Sequence, residues 1–367
     1  MGASGVSFPG ASEMPPALPD ILPSRGLHSL APRQPRWEQG PVAAAAAGNR
    51  ADTCISEIGD ASIAGMCFCP VIQTATSDFS KENLLGEGGF GHVYKGQLNG
   101  GQLIAAKLRK EASFEGYTEF FTEMQVFRFA RHRNIVGLLG YCCEETHNIL
   151  VYEYICNNSL EWHLFDQSAN LLEWNKRHAS AIGIAKGMRF LHEECRAGPI
   201  IHLDLQPSNV LLTHDFVPML GDFGFAKWKA CKVSSETMIL GPSGYLAPEH
   251  AEHGIASVKT DVFAFGILLF QLISGRKVLE EHGRWCTHIL QWAEPLVETL
   301  ALNILVDDRV KDTHDSYGLY HLAKAAYLCV RTNPEQRPSM GEVVRLIEVE
   351  NENIQDLSQL FIPHFTN

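Results

Sequence analysis

Apolar and polar residues change their rhythm along this chain near residue 75. The stretch before it carries eight of the eighteen prolines before residue 42, an alanine run over 43–47, few aromatics and no sustained period. Such a segment buries too little apolar surface to offset its chain entropy, and 1–75 reads as a disordered extension. Beyond it the patterns become regular. Residues 92–98 and 102–109 read as strands, and Asn99-Gly100-Gly101 between them predicts a tight turn. Glu119, Phe120, Glu123, Met124 and Phe127 recur at helical spacing, as do Ala181, Ile184, Ala185, Met188 and Leu191, so each set predicts a helix with a packed face. Leu150-Val151-Tyr152-Glu153-Tyr154 is a β-rich run passing into polar Asn157-Asn158-Ser159. The most apolar segment, 262–273, is interrupted only by Gln271. It is too short to cross a bilayer, and a helix apolar on every side predicts the middle of a core.

Composition narrows the classes. A chain of 367 residues with 45% hydrophobic content can bury a core in two domains or lobes. A net charge of −12 and a pI near 5.7 argue against a broad nucleic-acid-binding surface. Ten cysteines fall without a disulfide-like rhythm and no secretory signal precedes them, so reduced thiols are expected. Cys54, Cys67 and Cys69 could hold zinc or carry palmitate, but no second ligand pair follows and free thiols are the expectation. Met1-Gly2 suggests N-myristoylation, yet Val6 stands where that motif wants Ser or Thr. Ser, Ala and Arg near the start suit a plastid transit peptide, which Glu13, Asp20 and Glu38 weaken.

Candidate chemistry lies in the patterned region. Gly86-Glu87-Gly88-Gly89-Phe90-Gly91-His92-Val93 contains G-x-G-x-x-G-x-V. A strand follows it, where a dinucleotide-binding loop would need a helix. Glycines there let a hairpin backbone approach ATP phosphates, and Val93 can pack on adenine. Ile104-Ala105-Ala106-Lys107 matches a strand carrying a phosphate-binding lysine, with Ala105 beside the base. The ion-pair partner of Lys107 is expected on the next helix at Glu123, with Glu119 as the alternative. Tyr152 is expected to guard the back of the pocket, with the backbone of Glu153 and Tyr154 meeting adenine. His202-Leu203-Asp204-Leu205-Gln206-Pro207-Ser208-Asn209 precedes Asp222-Phe223-Gly224. An Asp and an Asn five apart, then a second Asp before Phe-Gly, is the layout of a protein-kinase catalytic centre. Asp204 would accept the proton of an attacking hydroxyl, and Asn209 and Asp222 would offer oxygens to Mg²⁺. Ala247-Pro248-Glu249, Asp261 and Arg337 follow in motif order, with a buried Glu249–Arg337 pair expected.

Together these motifs resemble the eukaryotic protein-kinase superfamily across roughly residues 80–348. His132-Arg133-Asn134-Ile135-Val136-Gly137-Leu138-Leu139-Gly140-Tyr141-Cys142 and Gly244-Tyr245-Leu246-Ala247-Pro248-Glu249 look like plant receptor-like kinases of the interleukin-receptor-associated-kinase/Pelle class. With no ectodomain or membrane span in view, the chain looks like a receptor-like cytoplasmic kinase close to the proline-rich receptor-like group. The resemblance implies an α+β, two-lobed fold. It divides the chain into a kinase domain over 76–348, with lobes of about 76–153 and 154–348, and a tail over 349–367. It also implies Ser/Thr specificity, ATP with Mg²⁺ or Mn²⁺, a protein substrate, receptor kinases as partners, and a cytoplasmic or peripheral plasma-membrane location. Ser234, Ser235 and Thr237 are the candidate phosphosites.

Three positions depart from the family. Leu203 replaces an Arg that commonly pairs with a phosphorylated activation segment, Gln206 replaces a Lys near the transferred group, and Pro242 replaces a Thr that helps align the catalytic Asp. The nucleotide-binding set is intact, so a slow Ser/Thr kinase is expected. The alternative is an ATP-binding pseudokinase that serves as a scaffold.

Overall fold

The computed structural model describes residues 65–67, 69–88, 91–109, 114–144, 148–228, 241–282 and 285–348. The first elements are β1 (Gly65–Met66) and α1 (Cys69–Ala75), followed by β2 (Leu84–Glu87), β3 (Gly91–Gln97) and β4 (Leu103–Arg109). Next come α2 (Phe114–Phe127), β5 (Leu138–Cys143) and β6 (Asn148–Glu153). The strands form one sheet in the order β1-β5-β6-β4-β3-β2. All its pairs are antiparallel except β1 against β5, which is parallel. Gly91 lets β3 lie close on β4, because a Cβ there would sit 2.6 Å from the Leu108 carbonyl oxygen. Alternation along β4 buries Ile104 and Ala106 in a small apolar cluster with Ile149, Val151 and Cys142. Ala105 and Lys107 therefore leave the opposite face.

Folded structure begins earlier than composition suggested. Both β1 and α1 lie inside the stretch read as disordered, and Cys69 and Ile72 of α1 are buried in the same apolar cluster. Neither element has a strong local signal. β1 is two residues long, and the seven residues of α1 include no charged group to complement its dipole. Packing on the sheet stabilises them, which local periodicity cannot register. Residues 1–64 and the tail at 349–367 lie outside the described residues, as does Cys54.

Beyond Glu153 the chain becomes mainly helical. It forms α3 (Leu160–Phe165), α4 (Trp174–Arg189), β7 (Ile200–Ile201), β8 (Val210–Leu212), β9 (Pro218–Leu220) and β10 (Lys227–Trp228). It continues through α5 (Pro248–His253), α6 (Val258–Ser274), β11 (Leu279–His282), β12 (Trp285–His288), α7 (Ile289–Glu298), α8 (Leu302–Leu305), α9 (Ser316–Cys329) and α10 (Met340–Ile347). The apolar segment expected in the core is α6, buried at every position over 260–274. Ser257 and Thr260 form a reciprocal cap at its start, and Gly275 ends it in a left-handed conformation. Its polar interruption, Gln271, is satisfied because the Tyr245 hydroxyl donates to its side-chain oxygen at 2.7 Å. The stripe on α4 continues into a π-turn over Phe190–Glu194 that buries Leu191 and His192. Arg177 of α4 is fully buried and donates to Asp307 at 2.7 Å and to the Leu172 and Leu272 carbonyls. No helix among the described residues is long and apolar enough to cross a membrane.

Candidate active site

Register on the sheet sets the first half of the site. Val93 faces Lys107 across β3–β4, and Ala105 faces Tyr152 across β4–β6, so these side chains share one face. Lys107 Nζ donates to Glu123 Oε2 at 3.0 Å and to Asp222 Oδ1 at 2.8 Å. Burial opposes the charge on Lys107, but Asp222 and Glu123 prevail and hold its pKa above the usual lysine range. The second oxygen of Glu123 accepts the Phe223 backbone N–H at 3.0 Å. Glu119 lies one turn earlier on α2. Its Oε1 is buried and has no hydrogen-bond partner among the described residues. Burial pushes that carboxyl up to about 8.

Phe223 is fully buried, with ring contacts to Phe127 at 5.1 Å and His202 at 4.6 Å, and Phe127 also meets Tyr152 at 5.6 Å. Tyr152 is thus walled in behind Lys107. The Glu153 carboxylate accepts the Gly137 N–H at 2.6 Å, so its side chain serves the fold. The Tyr154 ring lies under Lys95 Nζ at 4.8 Å. Gly86 and Glu87 sit on β2, and Gly88 N–H donates to the Gly91 carbonyl at 2.8 Å. Gly89 and Phe90 lie outside the described residues.

The second half of the site is tied to α6. Asp261 accepts the backbone N–H groups of His202 at 2.7 Å and Leu203 at 2.8 Å, and lies 2.8 Å from His192 Nε2. This tether holds Leu203 at φ 65°, a left-handed conformation costing a residue of its kind on the order of 1–3 kcal/mol. Asp222 is left-handed as well, at φ 57°. One residue after Leu203, the Asp204 carboxylate accepts Asn209 Nδ2 at 2.7 Å and Gln206 Nε2 at 2.9 Å. Asn209 Nδ2 also donates to the Asp204 carbonyl at 2.9 Å. Burial and the nearby Asp222 charge push Asp204 up to about 7 against the pull of these amides.

The pair beneath the site has full geometry. Arg337 grips Glu249 with two bonds, at 2.7 and 2.8 Å, and spends its remaining N–H groups on the carbonyls of Arg331, Lys259 and Thr332. Pro242 is described, and its carbonyl accepts the Tyr245 N–H at 3.1 Å. Ser234, Ser235 and Thr237 lie outside the described residues. Sequence reasoning missed His192, a histidine within an apolar stripe, and the Arg177–Asp307 tie; neither carries a motif signal.

Metal chemistry can be tested on the donor set. Both Nδ2 donations of Asn209 go to Asp204, which leaves its carbonyl oxygen free to ligate. Asp222 has one oxygen on Lys107, and its side chain is 44% exposed. No group of three or more His, Cys, Asp or Glu that could hold a metal occurs among the described residues. Two hard oxygens fit a divalent cation that takes its remaining ligands from phosphates and water. Cys67 and Cys69 form no disulfide among the described residues, and burial pushes Cys69 up to about 11.

Residues 79–347 match the protein tyrosine and serine/threonine kinase family. Proline-rich receptor-like protein kinase PERK13 of Arabidopsis thaliana is 40% identical over 283 residues, covering 76% of this chain and 40% of that protein. Proline-rich receptor-like protein kinase PERK2 of the same plant is 37% identical over 302 residues, 81% of this chain and 42% of its own. Serine/threonine-protein kinase CDG1, also from Arabidopsis thaliana, is 40% identical over 287 residues, 76% of this chain and 66% of its own. The chain spans about two fifths to three fifths of the length of the proline-rich curated relatives it matches.

Proposed function

Since the chain belongs to the protein tyrosine and serine/threonine kinase family, close to the plant proline-rich receptor-like kinases, we propose that it transfers the γ-phosphoryl group of ATP to Ser or Thr hydroxyls of a protein. The observation that carries this reading is Lys107 held between Glu123 and Asp222, with the Asp204 carboxylate oriented by Asn209. In this reading Gly86, Gly88, Gly89 and Gly91 let the loop backbone approach the phosphates, and Glu87 and Phe90 belong to the same loop. Val93, Ala105, Tyr152 and the backbone of Glu153 and Tyr154 enclose the adenine. Lys107 orients the phosphates, and Glu123 fixes Lys107. Asp204 accepts the hydroxyl proton on a carboxylate oxygen as the new O–P bond forms and the bond from the γ-phosphorus to the β–γ bridging oxygen breaks, so that ADP leaves with that oxygen. Asn209 and Asp222 would hold Mg²⁺ or Mn²⁺, which when bound neutralises phosphate charge. Asp261 positions the loop, and the Glu249–Arg337 pair anchors the substrate-facing segment.

Slow turnover belongs to this reading. Gln206 brings no cation to the phosphoryl group, and losing one transition-state contact commonly costs ~10²–10³ in rate. Leu203 cannot pair with a phosphate on Ser234, Ser235 or Thr237, so these sites would not switch the loop through that position. The reading extends to receptor kinases as partners and to a cytoplasmic or peripheral plasma-membrane location. Purified protein with labelled ATP and Mg²⁺ or Mn²⁺ is expected to phosphorylate a generic Ser/Thr substrate, with Asp204→Asn as the blank. Equal signals from the two proteins would sink it. A second reading, a nucleotide-binding scaffold, draws on the same three departures and expects ATP binding with no transfer.

A further inference from the structure

Gln206 stands two residues past Asp204 in extended backbone, φ −152° and ψ 162°, directly before Pro207. A residue preceding proline is pushed toward such conformations, so Pro207 helps set the direction in which the Gln206 side chain leaves the loop. Pro207 and Leu205 are buried and hold the backbone on either side. From there Gln206 Nε2 donates to Asp204 Oδ1 at 2.9 Å, while Asn209 Nδ2 donates to Asp204 Oδ2 at 2.7 Å. Each carboxylate oxygen therefore has its own neutral amide. Lys107 is already engaged with Glu123 and Asp222.

The two amides are not equivalent. Asn209 also suits a cation through its carbonyl oxygen, so its orientation must serve two partners. Among the described residues the Gln206 side chain bonds to Asp204 alone, and it can keep that grip whatever Asn209 does. We infer that Gln206 is a positioning residue, whose amide holds the Asp204 carboxylate facing the attacking hydroxyl, in place of a charged contact to the transferred phosphoryl group. The inference rests on the kinase reading and adds a role for a residue that reading counts only as a missing charge.

Gln206→Met keeps the length and shape of the side chain and removes the donor, while Gln206→Lys restores a donor. Loss of positioning at a reacting group can cost about 10–100-fold. Gln206→Met is expected to lower kcat by about that factor, with KM for ATP, KM for the peptide and the melting temperature unchanged. Gln206→Lys is expected to recover kcat to the wild-type value or above. The inference is overturned if Gln206→Met turns over like wild type, if its defect lies in KM for ATP, or if Gln206→Lys is as slow as Gln206→Met. A wild-type protein with no transfer would defeat the kinase reading alone. Crystal structures of wild type and Gln206→Met then still decide this inference: it survives if the Asp204 carboxylate rotates away in the variant, and fails if it stays in place.

Discussion

Glu119 and Glu123 stand one turn apart on the same helix, and their carboxyls meet opposite conditions. Glu123 has Lys107 on one oxygen and the Phe223 N–H on the other. Glu119 is buried with an unpartnered oxygen among the described residues, in the field of Lys107, Asp222, Glu123 and Asp204. Burial raises its pKa from 4.5 to about 8. Between those values the folded protein binds more protons at this site than the unfolded chain, so stability falls as pH rises across the window. Glu119→Gln removes that slope. In nucleotide-free, metal-free melts the variant is expected to exceed wild type at pH 8.5, and the gap is expected to close at pH 5. A gap that is the same at both pH values would show that Glu119 does not titrate in this way. The Lys107–Glu123 contact was legible in the sequence, because helical register brings one of two carboxylates toward the strand lysine. The Gln206–Asp204 contact was not, since it depends on a side-chain direction set by extended backbone before proline, which residue type alone does not reveal.

Elements were readable in proportion to how locally they are determined. The β3–β4 hairpin has its turn glycines and α6 its unbroken apolar run, so both stand out in the sequence. β1 and α1 depend on contacts with β5 and the sheet far along the chain, and composition pointed the other way. Arg337 is the clearest case of one side chain binding several elements together. It joins Glu249 of α5 to the Lys259 carbonyl in α6 and to the segment before α10. Removing one partner of a buried pair typically costs about 3–5 kcal/mol. Arg337→Ala is expected to lower the urea midpoint, with a loss of unfolding free energy in that range. Arg337→Lys, which keeps the charge but not the two-pronged grip, is expected to fall between it and wild type. A wild-type midpoint for Arg337→Ala would mean that the pair contributes nothing net to the fold.

Across the whole molecule, the candidate nucleotide site draws Val93, Ala105 and Lys107 from the sheet and Asp204, Asn209 and Asp222 from the helical part. A ligand that binds only the folded state raises stability by mass action, by about 2.7 kcal/mol at one hundred times its Kd. ATP with Mg²⁺ is therefore expected to raise the melting temperature, and Lys107→Ala combined with Asp222→Ala is expected to abolish most of the rise. No rise at millimolar nucleotide would remove both the kinase and the scaffold reading. Asp261 has a consequence that reaches past geometry. Loop amides ordinarily trade their protons with solvent through small local openings. The His202 and Leu203 amides are held by a carboxylate rooted in a helix buried at every position over 260–274, and His202 itself is fully buried. Their deuterium uptake should keep pace with the interior of α6 and lag far behind that of exposed turns. In Asp261→Asn it should speed up while α6 stays slow, leaving a loop that moves by its own clock.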